Sequence, residues 1–318
     1  MSFPIETSSA EVLAKEAEGR GMTVKRFYDI RPGYFRVTYQ DHSELLFQSQ
    51  SNLLGRVNAR FLSHKALSAA LLKEAGFPVP EDILAQTPDE AVDFLESHSP
   101  IVLKPVNATG GKGVYIDVTS EEKAREAFEI AQTCNDGGEV GVVCQQQVEG
   151  RDYRLLVINK RQVFTVERVP ASVTGDGVHT IQELLDTHNE SAVTGYAIPI
   201  DRIIPTTLSR QGFSLDSIPP TGTHVRVMRA ANSHLGGRVV TCDEQVGEDI
   251  KQMAIDVATY FNCPLLGLDC MTPDINTSIG NIIELNEAPA LYLHEHPDEG
   301  TSQPVARAII DMLFPESA

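Results

Sequence analysis

Two apolar runs, "PLLGLDCM" (264–271) and "NIIELNE" (281–287), flank the turn-rich stretch "TPDINTSIG" (272–280). Strand-like runs bounded by Asn, Asp and Gly predict an antiparallel hairpin. Alternate side chains on a strand share a face, so Glu284 and Asn286 point the same way and Asp269 on the partner strand can meet them. Two carboxylates held close raise each other's pKa unless a cation lies between them. Three oxygen donors of this kind suit a hard divalent ion, Mg²⁺, which keeps water or phosphate oxygens in its other positions. Solvent-facing strand ends give the same short pattern, and these residues alone leave both readings open.

Working outward, Lys104 ends the apolar run "PIVLKP", where a lysine is rare unless something anionic meets it. The loop "NATGGKG" follows. Its Gly110, Gly111 and Gly113 allow positive φ and close backbone approach, and Lys112 adds charge, so it can fold over phosphates or serve as an ordinary turn. It is neither a P-loop nor a dinucleotide fingerprint, because GxxxxGK[ST] and GxGxxG are both missing. Further on, "VVCQQQVEGRDYR" leaves a strand with three amide side chains; its backbone groups can face a flat heterocycle and Asp152 can accept from ribose hydroxyls, or the stretch is a polar interlobe linker. Arg154 and Arg168 lie on the two strands of a hairpin, "YRLLVI" and "QVFTVER", and their planar forks suit a phosphate or carboxylate, with paired surface arginines as the plainer alternative.

The remainder alternates helices and strands. Helices are expected at "SSAEVLAKEAEGRG", at "SHKALSAALLKEAGFPVP" with Ser63 as its cap, at "TPDEAVDFLESH" with a Thr87/Glu90 capping box, at "SEEKAREAFEIAQ", at "TIQELLDTH", at "EDIKQMAIDVATYF" and at "SQPVARAIIDMLF". His294 and His296 read either as substrate contacts or as solvated loop histidines, the commoner case. The chain has 318 residues, 42% of them hydrophobic, and a formal charge of −18 from 26 basic against 44 acidic side chains. That balance repels a polyanion, so nucleic acid is not an expected partner. Five scattered cysteines without a CxxC pair, a polar N-terminus and no membrane-length apolar run predict a reduced, cytoplasmic protein with no membrane partner.

Taken in order, Lys65, Lys104, "GGKG", "QQQVEGRDYR", "GLD" and "ELN" resemble the ATP-grasp superfamily of carboxylate–amine ligases. Within it, the stretches "VEGRDYRLLVINKRQVFTVERVPASVTGDGVHTIQELLDTHN", "AANSHLGG" and "NEAPALYLHEHPDEG" look most like the ATP-grasp part of cyanophycin synthetases and of bifunctional glutathione synthetases. The likeness covers about 63–314.

The resemblance implies an α+β ATP-grasp fold of three lobes: an N-terminal lobe (1–78), a lid (79–146) and a C-terminal catalytic lobe (147–318), with ATP between lid and C-terminal antiparallel sheet. Lys65 and Lys104 match phosphate lysines, and Gly110, Gly111, Lys112 and Gly113 match the lid's glycine loop. Gln145, Gln146, Gln147 and Val148 match the adenine hinge, and Asp152 the ribose acid. Arg154 and Arg168 match arginines near the transferred phosphate, and Asp269, Glu284 and Asn286 match magnesium ligands. Two Mg²⁺ per site are implied, with Mn²⁺ as a substitute. Met228 stands where relatives carry arginine, so Arg226 or Arg229 would substitute, with Asn232, Gly236 and Gly237 as further substrate residues. Cyanophycin synthetases continue into a second, Mur-ligase-like half, so the expected product is a small amide or dipeptide made from a carboxylate and an amine. A homodimer is compatible. A kinase acting on a hydroxyl, or a nucleotide-binding regulatory protein, are the other readings.

Overall fold

The structure is a computed structural model, and it describes residues 8–108, 110–191, 198, 203–228 and 237–317. By their internal contacts these fall into two units. The first comprises Met1–Thr165, Cys242–His296 and Ser302–Ala318, the second Val166–Thr241 and Pro297–Thr301.

The first unit opens with helix α1 (Ser9–Gly19), whose orphan Glu11 amide is capped by the Ser8 hydroxyl at 3.2 Å. A meander of antiparallel strands follows: β1 (Thr23–Arg26), β2 (Tyr34–Tyr39), β3 (His42–Phe47) and the short β4 (Gln50–Ser51). The helix expected after Ser63 is α3 (Lys65–Glu74), and a further helix, α2 (Arg56–Ser63), stands directly before it. Ser63 is not its cap: it ends α2, and its hydroxyl turns back to the Arg60 carbonyl at 3.2 Å. The cap is His64, whose Nδ1 accepts from the Leu67 amide at 3.2 Å.

A second antiparallel sheet, in the order β5 (Asp82–Ala85), β8 (Val142–Gln146), β6 (Ile101–Pro105), β7 (Tyr115–Val118), carries α4 (Pro88–His98) and α5 (Glu121–Thr133). The Thr87 hydroxyl caps α4 by accepting from the Glu90 amide at 3.3 Å. Ile101 and Leu103 of β6 join Val142 and Cys144 of β8 against Phe94, Leu95, Ala127 and Phe128 of the two helices. The pleat therefore turns Lys104 to the other face, together with Gln145 of β8 and Asp82 of β5.

Strand β9 (Arg151–Ile158) turns into β10 (Gln162–Val169) through Asn159 and Lys160, both at φ 53°, the backbone a two-residue hairpin turn requires. In the second unit, residues 166–169 of β10 pair antiparallel with β13 (Arg238–Thr241), β11 (Ser172–Thr174) pairs with β12 (His224–Arg226), and α6 (Ile181–Ser191) and α7 (Ile203–Ser209) accompany them. Ile181, Leu185, Leu208, Val225 and Met228 form that unit's core.

Back in the first unit come α8 (Glu248–Tyr260), β14 (Leu265–Thr272), β15 (Asn281–Asn286), α9 (Tyr292–Glu295) and α10 (Val305–Leu313). β14 lies between β9 and β15, antiparallel to both, so the predicted hairpin is present. Both faces of β14 are covered, which is why its sequence is apolar almost throughout. Leu266, Leu268 and Cys270 pack with Leu155 and Val157 against Ile250, Met253 and Val257 of α8. Leu265 packs with Leu156 and Ile158 against Leu13 of α1 and Ile309 and Leu313 of α10. Among the described residues, no helix is long and apolar enough to cross a membrane.

Leu268 is fully buried at the centre of this sheet. Leu268→Ala is expected to cost about 2–5 kcal/mol of unfolding free energy, the range for a core leucine whose cavity cannot collapse. Denaturant unfolding measures it, and a loss under about 1 kcal/mol would contradict the central packing described here.

Candidate active site

The register of three strands assembles the site in the first unit. Asp269 on β14 is opposite Glu284 on β15 and opposite Arg154 on β9, so all three share a face, and Asn286 joins them two residues along from Glu284. Asp152 lies on the same face of β9, opposite Met271. The apolar end of this face disappears under α1 and α10, and the polar end forms the site.

Each carboxylate has a cation. The Arg154 Nε donates to Asp269 Oδ1 at 2.5 Å, both side chains being buried, and Asn286 Nδ2 reaches the same oxygen at 3.4 Å. Lys65 Nζ lies 3.2 Å from Glu284 Oε1 and donates to the Ala108 carbonyl at 2.6 Å. The Arg154 guanidinium passes over Gly267, where an added Cβ would stand 3.2 Å from Nη1 and 3.1 Å from Pro289. The glycine of "GLD" is thus the bed on which the arginine lies.

Lys104 enters from the second sheet. Its Nζ donates to Gln145 Oε1 at 3.0 Å and to the Ile283 carbonyl at 3.2 Å. That carbonyl is exposed by a β-bulge: Asp269 pairs with Glu284 but Cys270 pairs with Ile282, leaving Ile283 unmatched on β15. Burial pushes the Lys104 ammonium down to about 8, against the opposing pull of Glu284. Lys65, Lys104, Gln145, Glu284 and Asp82 line one small cleft. Asp82, which the sequence reading passed over, has its carboxyl pushed up by burial, with Lys104 acting against the rise. "PEDILA" holds no motif that marks it; only its pairing opposite Gln145 brings it here.

The glycine loop takes positive φ at Gly110, Gly111 and Gly113 (68°, 73° and 71°). At Gly113 a Cβ would lie 2.9 Å from both Pro105 and Cys134, so glycine is required there for space as well as for backbone. Lys112 is exposed. In the hinge stretch, the Gln146 amide donates to the Glu81 carbonyl at 2.8 Å and the Gln147 amide to the Pro100 carbonyl at 3.0 Å. The Gln147 side chain is tied to Asp117 through two bonds, accepting from its amide at 2.7 Å and donating to its carboxylate at 2.8 Å, which holds Asp117 at φ 58°. Val148 follows, half-buried.

Arg168, Arg226 and Gly237 belong to the second unit: Arg168 pairs opposite Val239 and Arg226 opposite Ser172. Arg229, Asn232 and Gly236 lie outside the described residues. His294 is not a solvated histidine. It is fully buried on α9, and burial pushes its pKa down to about 3.

Among the described residues no three acids, histidines or cysteines cluster as a metal site, and the donors here are two carboxylates and an amide. That oxygen-only set fits Mg²⁺, which needs few protein ligands when phosphates complete its shell. Asp269 and Glu284 stand opposite one another in register, as a shared ion requires.

Residues 62–176 match the model of the RimK-like ATP-grasp domain. The chain is 33% identical over 321 residues to the cyanophycin synthetase of Crocosphaera subtropica, covering 96% of this chain and 36% of that one. It is 29% identical over 272 residues to the bifunctional glutathione biosynthesis protein of Streptococcus agalactiae, covering 80% of this chain and 36% of the relative. It therefore spans about a third of the length of these curated relatives. Among solved structures, the bifunctional glutathione synthetase of Pasteurella multocida superposes with a TM-score of 0.69 at 24% identity, over 98% of this chain and 45% of the other. The α+β ATP-grasp fold expected from the sequence is the fold observed.

Lys104 offers a direct electrostatic test. Its pKa falls from the usual 10.5 to about 8 on folding, so between those values the unfolded chain binds the extra proton and stability rises with pH. The full rise is roughly 3 kcal/mol. Lys104→Met is expected to abolish this alkaline gain while leaving the fold intact. Unfolding curves from pH 7 to 10.5 measure it, and a variant that keeps the parent's rise would refute the assignment.

Proposed function

We propose that this chain, which carries a RimK-like ATP-grasp domain over residues 62–176, is an ATP-dependent carboxylate–amine ligase that makes a small amide or dipeptide. The observation that carries the reading is the convergence of two buried lysines, Lys65 and Lys104, on the strand pair that bears Asp269 and Glu284. In a chain with a charge of −18, buried cations gathered beside paired carboxylates suit a ligand that brings both signs, a metal–triphosphate. Curated relatives named as a cyanophycin synthetase and a bifunctional glutathione biosynthesis protein support amide-bond chemistry.

In this reading the lobes are 1–78, 79–146 and 147–318, and ATP lies between the 79–146 lid and strands β9, β14 and β15. Gln145 to Val148 and Asp152 hold the base and ribose. Gly110, Gly111, Lys112 and Gly113 cover the phosphates and exclude water, which an acylphosphate needs. Lys65 and Lys104 take phosphate oxygens, trading their present partners for stronger charge. Asp269, Glu284 and Asn286 would hold one or two Mg²⁺, or Mn²⁺ in its place, which neutralise charge on the phosphates. A substrate carboxylate oxygen attacks the γ-phosphorus as the bond to ADP breaks. The amine then attacks the acyl carbon, loses a proton, and phosphate leaves. Arg154 and Arg168 stabilise the transferred phosphoryl group, and Arg226, Arg229, Asn232, Gly236 and Gly237 contact the substrates.

The test is ADP release across pairs of amino acids, dipeptides and amines, with product identification. A ligase requires both partners for full turnover, whereas product phosphorylated on a hydroxyl with no amine present would replace this reading by a kinase. Glu284→Gln keeps size and removes one charge, so turnover is expected to fall about a hundredfold or more while the fold persists. Thermal unfolding with and without Mg·ATP should show the stabilisation shrink in the variant. Parent-like turnover and undiminished stabilisation would remove Glu284 from the metal site.

A further inference from the structure

The antiparallel strands β1, β2 and β3 divide their charges between the two faces of their sheet. On the covered face, Glu44 is buried opposite Val37. Arg26, opposite the buried Phe35, bonds Glu11 at 3.0 Å and Glu18 at 2.6 Å. The pleat sends Lys25, Tyr34, Arg36, Leu45 and Phe47 to the other face, where all but the half-buried Phe47 are exposed. Glu44 is the acidic residue of these three strands, so their solvent face has no carboxylate of its own.

Lys25 stands directly opposite Arg36 in register, and like charges in that position repel. Among the described residues neither makes an ion pair, nor does Arg31 in the turn beside them, and Asp29 and Asp41 lie in turns without meeting these cations. That is unusual in a chain with 44 acidic side chains for 26 basic ones; Lys73 and Arg125, for example, hold Glu81 at 2.5 Å and Asp89 at 2.6 Å. The rings narrow the kind of anion that fits. Tyr34 and Phe47, opposite one another, stack with centroids 4.4 Å apart, and the Arg31 guanidinium lies 5.6 Å from the Tyr34 centroid. Lys25 Nζ lies 5.3 Å from the Phe27 centroid. These rings are already engaged, whereas a nucleic-acid platform keeps its ring faces open for bases. A guanidinium on a ring still presents its planar fork to a carboxylate. Leu45, opposite Arg36, is 64% exposed and Ile30 is 80% exposed, and a small inorganic anion would leave both in water.

We propose that the solvent face of β1, β2 and β3 docks an acidic, partly apolar peptide segment of a partner protein. Carboxylates of that segment meet Lys25, Arg31 and Arg36, and its apolar side chains cover Leu45 and Ile30. A carboxylate set between Lys25 and Arg36 turns a repelling pair into a bridged one, so binding relieves a repulsion present in the free protein. The surface is separate from the strands that bear Asp269 and Glu284, and the inference does not rest on the ligase reading.

The test is fluorescence anisotropy of the full chain with a short labelled peptide of Glu-Glu-Leu repeats, beside its Gln-for-Glu counterpart and a labelled oligo(U). Salt-sensitive binding of the Glu peptide is expected, with the other two probes much weaker. Arg36→Gln should weaken it about tenfold or more and Leu45→Ser about threefold or more, while Arg125→Gln, which removes a matched cation elsewhere, should leave it unchanged. Lys25→Glu sets opposite charges across the strands, so the free protein is expected to melt at the parent's Tm or higher while the peptide binds less well. A residue with a merely structural role does not move the two readings apart. Should Arg36→Gln not fold, Lys25→Glu decides by the same pair of measurements. No binding of the Glu peptide, an equal loss in Arg125→Gln, or parent-like binding by Lys25→Glu would each overturn the proposal. Tighter binding of oligo(U), or self-association that Arg36→Gln abolishes, would overturn it too, by making the occupant a nucleic acid or a second copy of the chain.

Discussion

Asp269 and Glu284 face one another across adjacent strands, and like charges in that position repel unless each is matched. The structure matches them separately, Arg154 to Asp269 and Lys65 to Glu284. Everything else in the site follows from supplying these cations inside a strongly acidic chain. Arg154 needs room above the strand, which Gly267 provides by having no Cβ. Lys65 needs a helix start beside the strand, and the break between α2 and α3 puts it there. Lys104 leans on neutral oxygens, Gln145 Oε1 and the bulged Ile283 carbonyl, and its burial depresses it against the pull of Glu284.

Much of this was legible in the sequence because the site is built on strands. The period of two ties Glu284 to Asn286 and Lys104 to the face away from its helices, and a hairpin turn at 272–280 sets which residues are opposite. Thr87, Asn159 and Lys160 likewise have local chemistry that specifies their structure. The bulge at Ile283 was not legible, since an unmatched residue leaves no trace in an apolar run. Nor was the cap at His64: Ser63 is the better cap former by type, but it is used to end α2, and the histidine next to it takes the role.

The sequence reading failed most at His294. "YLHEHPDEG" looks like an exposed loop, and nothing local says that the ring of His294 is buried against the Gln303 side chain. A contact that forms only through tertiary packing carries no spacing signal. Asp82 and the Gln147 side chain escaped for the same reason. Gln147 was read for its backbone in the hinge, whereas its amide also clamps Asp117 in a left-handed conformation.

The enclosure of β14, with strands on both edges and helices over both faces, sets a gradient of local stability across the site. Amides in such a strand exchange with solvent only when the whole unit opens, whereas those of an exposed glycine turn such as 110–113 exchange through small fluctuations. The two sides of the proposed nucleotide cleft therefore differ in stiffness by construction. Asp269 is held on that enclosed strand, the stiffer side of the proposed cleft. A substitution that loosens β14 would then blur the position of the carboxylate itself, and one in the glycine turn would alter only how often the proposed cover is in place.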